Sequence, residues 1–503
     1  MPYPILYILL SAALNIAIFP SLDFSWLAFI CFVPLLLLVQ RYSPGKSLLF
    51  FGLAGFLFNL GNLYWIELVI KHYTELNFFL AVGLLLALCL LLCIFWAAFG
   101  FTLAVIARRS GLQTALLLAP FLWVALEWIR LHTTDFPWCL LGYSQYKNLR
   151  IAQLSTFAGV YGLSFLIMAT NAAIATAVIL RKYYYLTTIL VFTGLLAVYG
   201  NYRIARPVGE GALKVGCIQG NIPQDVKINY EFADQINEKH LRMTRELIAA
   251  QKPDLIFWSE ASVLFPLRTG GEWTNQILSL ARTSHTPLIV GSDSFLQNEI
   301  YNSAFFVDAE GRIAGQYDKM YLVPFGEYVP LKWLFFFAGK VVPEISDFTG
   351  GKHYNLFALR GHKIAMHICF EVVFPQLCRQ FVLNGAGLLS TITNDAWFGK
   401  TSAPHQHFAM AVMRAIESRR YMVRAANTGI SGFVDPYGRI LQATPIYVDA
   451  KITGEVKWIN EQTFYTRHGD WLVYVALLVS IVGILIKTRR DAVTLPLDNY
   501  KTV

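Results

Sequence analysis

The chain has 503 residues, of which 56% are hydrophobic and only 15% charged. That is far from the roughly 25% charged of an average soluble domain, so the composition excludes an ordinary soluble or disordered protein and points to a membrane. The formal net charge of +9 would suggest a nucleic-acid partner in a soluble chain, but here much of it flanks apolar runs and no nucleic-acid motif appears.

Apolar runs lie near 4–20, 24–40, 48–70, 78–107, 112–130, 156–180 and 184–200, and one more, 470–487, follows a long polar region. Set against the roughly 20 residues that cross hydrocarbon, these runs predict eight spans. The first has no basic leader and is followed at once by another span, so it reads as retained rather than as a signal peptide. Arg41 and Lys46, Arg108 and Arg109, Arg181 and Lys182, and Lys487, Arg489 and Arg490 follow spans two, four, six and eight. This bias predicts that both termini are cytoplasmic. Lys71, Arg130, Lys147 and Arg150 fall in the opposite loops, so the bias is not absolute. Three parts result: a seven-helix membrane domain over 1–200, an outer domain over 201–469, and a last helix with a cytoplasmic tail over 470–503.

The outer region alternates strands and helices. Strands are predicted at 213–218, 254–260, 287–292, 303–308, 363–370 and 387–393, with a polar amphipathic helix over about 230–251. Such alternation predicts an α/β layered domain, and about 270 residues suffice for one core.

Within it, His367-Ile368-Cys369-Phe370-Glu371 places a thiol at a predicted strand end with a carboxylate two residues on. Leu255-Ile256-Phe257-Trp258-Ser259-Glu260 ends a second strand on a carboxylate, and Tyr317-Asp318-Lys319-Met320 offers an ammonium. A thiol attacks as thiolate, so a carboxylate to take its proton and a fixed cation to meet an oxyanion are the groups acyl transfer requires. A cysteine taken alone is more often a small core residue, and Cys31, Cys89, Cys93, Cys139, Cys217 and Cys378 need no catalytic role.

Glu260, Lys319 and Cys369, in that order and in these settings, resemble the Glu-Lys-Cys triad of the nitrilase, or carbon-nitrogen hydrolase, superfamily. A domain of this kind inserted between the seventh and eighth spans resembles the apolipoprotein N-acyltransferase family. Further stretches carry the likeness: Gln219-Gly220-Asn221-Ile222-Pro223-Gln224, the run 322–330 containing Phe325-Gly326-Glu327, Thr393-Asn394-Asp395-Ala396-Trp397-Phe398-Gly399, Gln406-His407, and Asn427-Thr428-Gly429-Ile430-Ser431. Two positions depart from the pattern: Phe370 where many members carry Tyr, and Ile228 where an aromatic is usual. These departures bear on how substrate is gripped.

The resemblance implies an αββα sandwich on a multi-span helical membrane protein of the bacterial inner membrane, with its catalytic domain on the periplasmic face. It implies a ping-pong reaction. Cys369 attacks the sn-1 ester of a membrane phospholipid, with phosphatidylethanolamine the expected donor, and forms a thioester. The acyl chain then passes to the α-amine of a diacylglyceryl-cysteine at an apolipoprotein's N-terminus, the final step of lipoprotein maturation. Glu260 would be the general base and Lys319 the oxyanion cation. Extracting the acyl chains from a bilayer would cost about 0.8 kcal/mol per CH₂, so the site is expected to open onto lipid. The aromatic run 333–338 is a candidate interfacial loop, with ordinary core as the alternative.

Glu327 and Glu371 are supporting candidates that could position Lys319 or the thiol's neighbours, and simple ion pairing is the competing explanation. Phe370, Asn394 and Trp397 are possible substrate contacts, although Asn394-Asp395 would equally serve a turn. His405 and His407 form a His-x-His pair without a nearby third ligand, so no metal is assigned, and no cofactor. Cys369 is expected to stay free of any disulfide. The main rival is a membrane-tethered nitrilase-type amidase that uses water as acceptor, against which seven preceding spans weigh. A transporter or receptor is disfavoured by the few ionisable residues within the spans.

Overall fold

The computed structural model describes residues 3–73, 76–227, 229–324, 326–328 and 348–485. Ile228, Phe325, the aromatic run 333–338 and the basic cluster at 487–490, singled out above, lie outside them.

Among the described residues, five helices are long and apolar enough to cross a membrane: Pro44–Leu63, Phe78–Ser110, Leu112–Thr134, Ser155–Leu180 and Tyr183–Ile204. The longest, with 33 residues, starts where Asn77 accepts a hydrogen bond from the Leu80 N–H at 3.0 Å. It stops at Gly111, whose φ of +91° no ordinary side chain favours. Exposed Val191, Leu195 and Val198 on the last of the five are suited to lipid, because hydrocarbon carries no penalty for apolar contact.

Three predicted spans are shorter or broken. Pro4–Ala17 has 14 residues, and the described part of the last run, Trp471–Leu485, has 15. The continuous helix predicted over 24–40 is corrected: it divides into a 3₁₀ turn, Ser25–Phe29, and a helix, Val33–Val39. Asn171, from the Ser155–Leu180 helix, fills the break. Its Oδ1 accepts from the backbone N–H groups of Phe32 (2.7 Å) and Val33 (3.1 Å), and its Nδ2 donates to the Ala28 carbonyl (2.8 Å). Non-helical backbone survives at membrane depth only when protein groups satisfy it in this way. The run predicted over 48–70 likewise ends at Leu63, and a separate helix, Trp65–Tyr73, follows.

Among the described residues, the stretch from Glu210 to Trp458 is a sandwich of two six-stranded sheets. The first holds β1 (Glu210–Gln219), β2 (Leu255–Phe257), β3 (Leu288–Leu296), β4 (Glu299–Val307), β5 (Ile313–Asp318) and β12 (Ala450–Trp458), in the order β12-β1-β2-β3-β4-β5. The second holds β6 (Leu356–Leu359), β7 (His362–Ile368), β8 (Leu388–Thr393), β9 (Met422–Ala426), β10 (Gly432–Val434) and β11 (Ile440–Ala443), in the order β11-β10-β9-β8-β7-β6. Three central strands run parallel in each, β1-β2-β3 and β7-β8-β9.

Alternation along the strands builds the layers. Leu213, Val215, Cys217, Leu255 and Phe257 enter the core between the sheets. The intervening Ile218, Ile256 and Trp258 pack instead with Leu241 and Leu247 of the Ala233–Gln251 helix and Ile277 of the Glu272–Ser284 helix. On the other side, the Ala403–Ser418 helix is buried at every residue but His405, because it is wedged between the second sheet and the membrane helices. Arg414 donates to Tyr143 Oη at 3.0 Å, and Glu417 accepts from the Val160 N–H at 2.8 Å. That N–H is freed by a kink at Ala158 and Gly159 in the Ser155–Leu180 helix. The inter-sheet core and the membrane-helix core form one continuous apolar cluster.

Candidate active site

The triad residues follow three strands. Glu260 comes after β2, Lys319 directly after β5 and Cys369 directly after β7. Ligands of open parallel sheets gather at the carboxyl ends of strands, and the sandwich brings ends from both sheets to one place. The turn bearing Glu260 is packed so closely on β3 that a Cβ at Gly291 would lie 2.4 Å from the Ser259 carbonyl oxygen. Only glycine fits there.

Glu260 is held from both sheets. Its Oε1 accepts from Asn302 Nδ2 at 2.8 Å and lies 3.5 Å from Lys319 Nζ, while its Oε2 accepts from the Asn394 backbone N–H at 2.7 Å. Lys319 donates to Glu327 Oε1 at 2.8 Å, and Asn302 Nδ2 reaches the same oxygen at 2.9 Å. Glu327 Oε2 accepts from the Val323 N–H at 2.8 Å. Glu327 is therefore the closer carboxylate to the ammonium, and Asn302 joins it to Glu260. Burial works against the Lys319 charge, but Glu327 and Glu260 outweigh it and raise the ammonium's pKa above the usual lysine range.

Cys369 adopts φ +53°, a left-handed conformation that costs an L-residue roughly 1–2 kcal/mol. Neighbours on both sides hold it there. Glu371 Oε2 accepts from the Ile368 N–H at 2.7 Å. His407 Nε2 donates to the Cys369 carbonyl at 3.1 Å, and Arg424 donates to His407 Nδ1 at 3.1 Å. Burial and the Arg424 charge lower the His407 pKa, which favours the neutral tautomer these bonds require. Burial would raise the Asp395 carboxyl, but the Arg424 guanidinium 2.8 Å away draws it well below the usual carboxylate range. His407, the second histidine of the His-x-His pair, thus supports the main chain of the thiol.

Burial pushes the Cys369 thiol well above its ordinary pKa; the Glu260 charge adds to this and Lys319 opposes it. The resting group is a neutral thiol, so attack requires its proton to leave as the bond forms, and a carboxylate in electrostatic reach is what such a thiol needs.

The remaining sequence candidates take different places. Glu371 is fully buried and points away from solvent into a brace: Oε1 accepts from Tyr317 Oη (2.7 Å) and from the N–H groups of Met320 (2.6 Å) and Tyr321 (3.2 Å). With Ile368 on its other oxygen it ties the Lys319 strand end to the Cys369 strand end. Burial raises it to about 7 against the Ile368, Tyr317 and Met320 donors and the Lys319 charge, which favour the carboxylate. Asn394 faces Glu260 through its main chain, while its side chain is taken up by Gln224 and Asn427. Phe370 is buried edge-on to Phe374, with centroids 5.2 Å apart, and Trp397 is 36% exposed.

Sequence reasoning missed Asn302, which bridges two carboxylates, and Lys227, which donates to the Glu260 carbonyl at 2.7 Å. The available signal for Asn302 was an amide near the middle of the largely buried strand Glu299–Val307, since buried polar groups need partners. Gln406, noted only as part of a motif, links the layers: its Oε1 accepts from Trp138 Nε1 (2.7 Å) and Trp65 Nε1 (3.2 Å), and its Nε2 donates to the Asn62 and Pro20 carbonyls. The support of the Cys369 main chain is thereby bonded to the membrane helices.

The carbon-nitrogen hydrolase family model matches residues 214–455, and the model for the apolipoprotein N-acyltransferase N-terminal domain matches residues 11–173. An apolipoprotein N-acyltransferase of Geobacter metallireducens is 37% identical over 500 residues, covering 96% of this chain and 95% of the relative. The chain belongs to the apolipoprotein N-acyltransferase family. Another member, from Methylococcus capsulatus, is 31% identical and covers 89% of each chain. Among solved structures, a carbon-nitrogen hydrolase from Helicobacter pylori aligns at 14% identity and TM-score 0.38, covering 56% of this chain and 95% of that one. The apolipoprotein N-acyltransferase match spans both the membrane helices and the sandwich, so the two parts are family features and not a chance fusion.

Proposed function

We propose that this enzyme N-acylates apolipoproteins by a ping-pong reaction through a thioester on Cys369. The observation that carries the reading is the 3.5 Å approach of Lys319 to Glu260 with Cys369 in electrostatic reach of both, in a chain whose membrane domain the same family shares. Cys369 attacks the sn-1 ester carbonyl of a phospholipid, phosphatidylethanolamine being the proposed donor, as its proton passes to Glu260. Lys319 meets the oxyanion, Glu327 and Asn302 hold Lys319 and Glu260 in register, and a lysophospholipid leaves. The α-amine of diacylglyceryl-cysteine then takes the acyl chain. Phe370 and Trp397 are proposed to contact the acyl chains, being apolar groups beside the nucleophile and its neighbouring loop.

Mass spectrometry of the purified protein after exposure to phosphatidylethanolamine vesicles should find one acyl adduct on Cys369, which disappears when a diacylglyceryl-cysteinyl peptide is added. Release of ammonia from a small amide without any adduct from phospholipid would support the amidase instead.

We further place residues 1–200 in the membrane, 201–469 on the periplasmic face of a bacterial inner membrane, and 470–503 as a last crossing with a cytoplasmic tail. This gives eight crossings, three made by the shorter or broken segments, with both termini cytoplasmic. The support is the run of basic residues after even-numbered spans. A reporter fused after Val208 should behave as periplasmic and one fused after Arg490 as cytoplasmic; a cytoplasmic signal after Val208 in a complementing protein would mean the crossings are miscounted.

A further inference from the structure

An amine acceptor poses a proton problem that the triad alone does not solve. An α-amine, with a pKa of about 8, arrives mostly as the ammonium at neutral pH, so two protons must leave nitrogen before a neutral amide results. Glu260 can carry one, which it returns to the departing sulfur. The other needs a separate acceptor.

Three carboxylates face one another at this end of the sandwich, and two are fully engaged. Both oxygens of Glu260 and both of Glu327 accept hydrogen bonds from protein donors. Asp293 is the third. It lies in β3 directly opposite Asn302 of β4, and cross-strand partners share a face. Among the described residues its carboxylate has no hydrogen-bond or ion-pair partner, and it is only partly exposed. A second, independent gap adjoins it: Asn302 is 6% exposed, and while its Nδ2 serves Glu260 and Glu327, its Oδ1 finds no donor among the described residues. Unsatisfied buried acceptors call for an explanation. Two acceptors without donors, beside a general base, make a receptor for a group that carries N–H and positive charge.

We propose that Asp293, together with Asn302 Oδ1, receives the α-ammonium of the acceptor and takes its first proton. This rests on the acyl-transfer reading above. The ammonium gives one proton to the Asp293 carboxylate and the freed amine attacks the thioester carbonyl, forming the C–N bond. Its second proton passes to Glu260 and on to the Cys369 sulfur as the C–S bond breaks. Asp293 then releases its proton to solvent, so amide, free thiol and one proton are the products. The charged groups facing Asp293 fit this role. Burial, then Glu260 and Glu327, raise it to about 6, while Lys227 opposes them. It is thus ionised at neutral pH yet basic enough to accept a proton.

The test separates the two half-reactions in the full-length protein and compares two acceptors. Asp293→Asn should still form the acyl adduct on Cys369 from phosphatidylethanolamine vesicles, within about threefold of the wild-type rate. It should discharge that adduct to a diacylglyceryl-cysteinyl peptide at least tenfold more slowly, yet discharge normally to hydroxylamine, which is uncharged near neutral pH. Wild-type discharge to the peptide should rise with pH as Asp293 ionises, and the variant should lose that limb and follow the peptide's amine alone. Asp293→Glu should recover part of the preference for the peptide. Equal slowing with both acceptors, unchanged discharge to the peptide, or a variant that fails to acylate while the wild type succeeds would each overturn the assignment. A wild type that forms no adduct at all would instead remove the acyl-transfer reading and this inference with it.

Discussion

Cys369→Ala abolishes the acyl adduct and N-acyl transfer together, and Cys369→Ser retains at most a trace of either. The expectation follows from the state of the thiol. Burial and the nearby Glu260 charge keep it protonated at rest, so reactivity depends on a proton that Glu260 can draw off and on sulfur's intrinsic nucleophilicity. A serine hydroxyl ionises far less readily and would meet the same desolvation without that compensation. The substitution is small, and the left-handed turn is held through the main chain by Glu371 and His407, so the alanine variant should fold. Adduct mass and single-turnover transfer measure the two losses, and near-normal transfer by Cys369→Ala would remove the thioester mechanism.

Lys319→Met should lower turnover by roughly 10²-fold or more, a loss of about 2.7 kcal/mol of transition-state stabilisation. The ammonium, 1% exposed, stands 2.8 Å from Glu327 and 3.5 Å from Glu260, a preorganised charge that needs no reorientation when an oxyanion appears. Without it the two carboxylates, already joined through one Asn302 amide, face each other with no cation between them, and no charge remains to meet the oxyanion. Lys319→Arg should not rescue activity, because a planar guanidinium cannot occupy the tight space between these oxygens as a tetrahedral ammonium does. Steady-state kinetics distinguish the outcomes. A variant with full turnover and only weaker phospholipid binding would assign Lys319 to the substrate instead.

Glu260 and Cys369 were legible as the ends of locally patterned strands, since largely apolar runs at 255–258 and 364–368 lead to a carboxylate and to a thiol, whereas Lys319 was legible only by its local wording. Their order and wording carried the family likeness. The α/β character and the helix at Ala233–Gln251 were legible for the same reason, since period-two and period-3.6 burial are written in neighbouring residues. The strands β5, β6 and β9 to β12 were not identified. Several are short or lie at sheet edges, where exposure relaxes the pattern, as in the fully exposed Ile440–Ala443.

The second run, 24–40, shows the other side. Its hydropathy suits a span, and nothing local announces that Asn171, 139 residues away, will hold it open. Glu371 was equally ambiguous, because spacing places it beside Cys369 but cannot say that one of its oxygens turns to the Lys319 strand end while the other caps the Ile368 N–H.

The sequence by itself determined the kinds of group available, the strand ends that bear them, and the membrane setting, because these depend on composition and on periodicities a few residues long. Only the tertiary structure decided which of those groups meet. Asn302 reaches Glu260 across 42 residues, Lys319 across 59 and the Asn394 N–H across 134; the first two contacts exist because distant strands pair in register within one sheet, and the third because two sheets pack face to face. Partner choice at such range is set by the summed burial of the whole core, so no local segment encodes it.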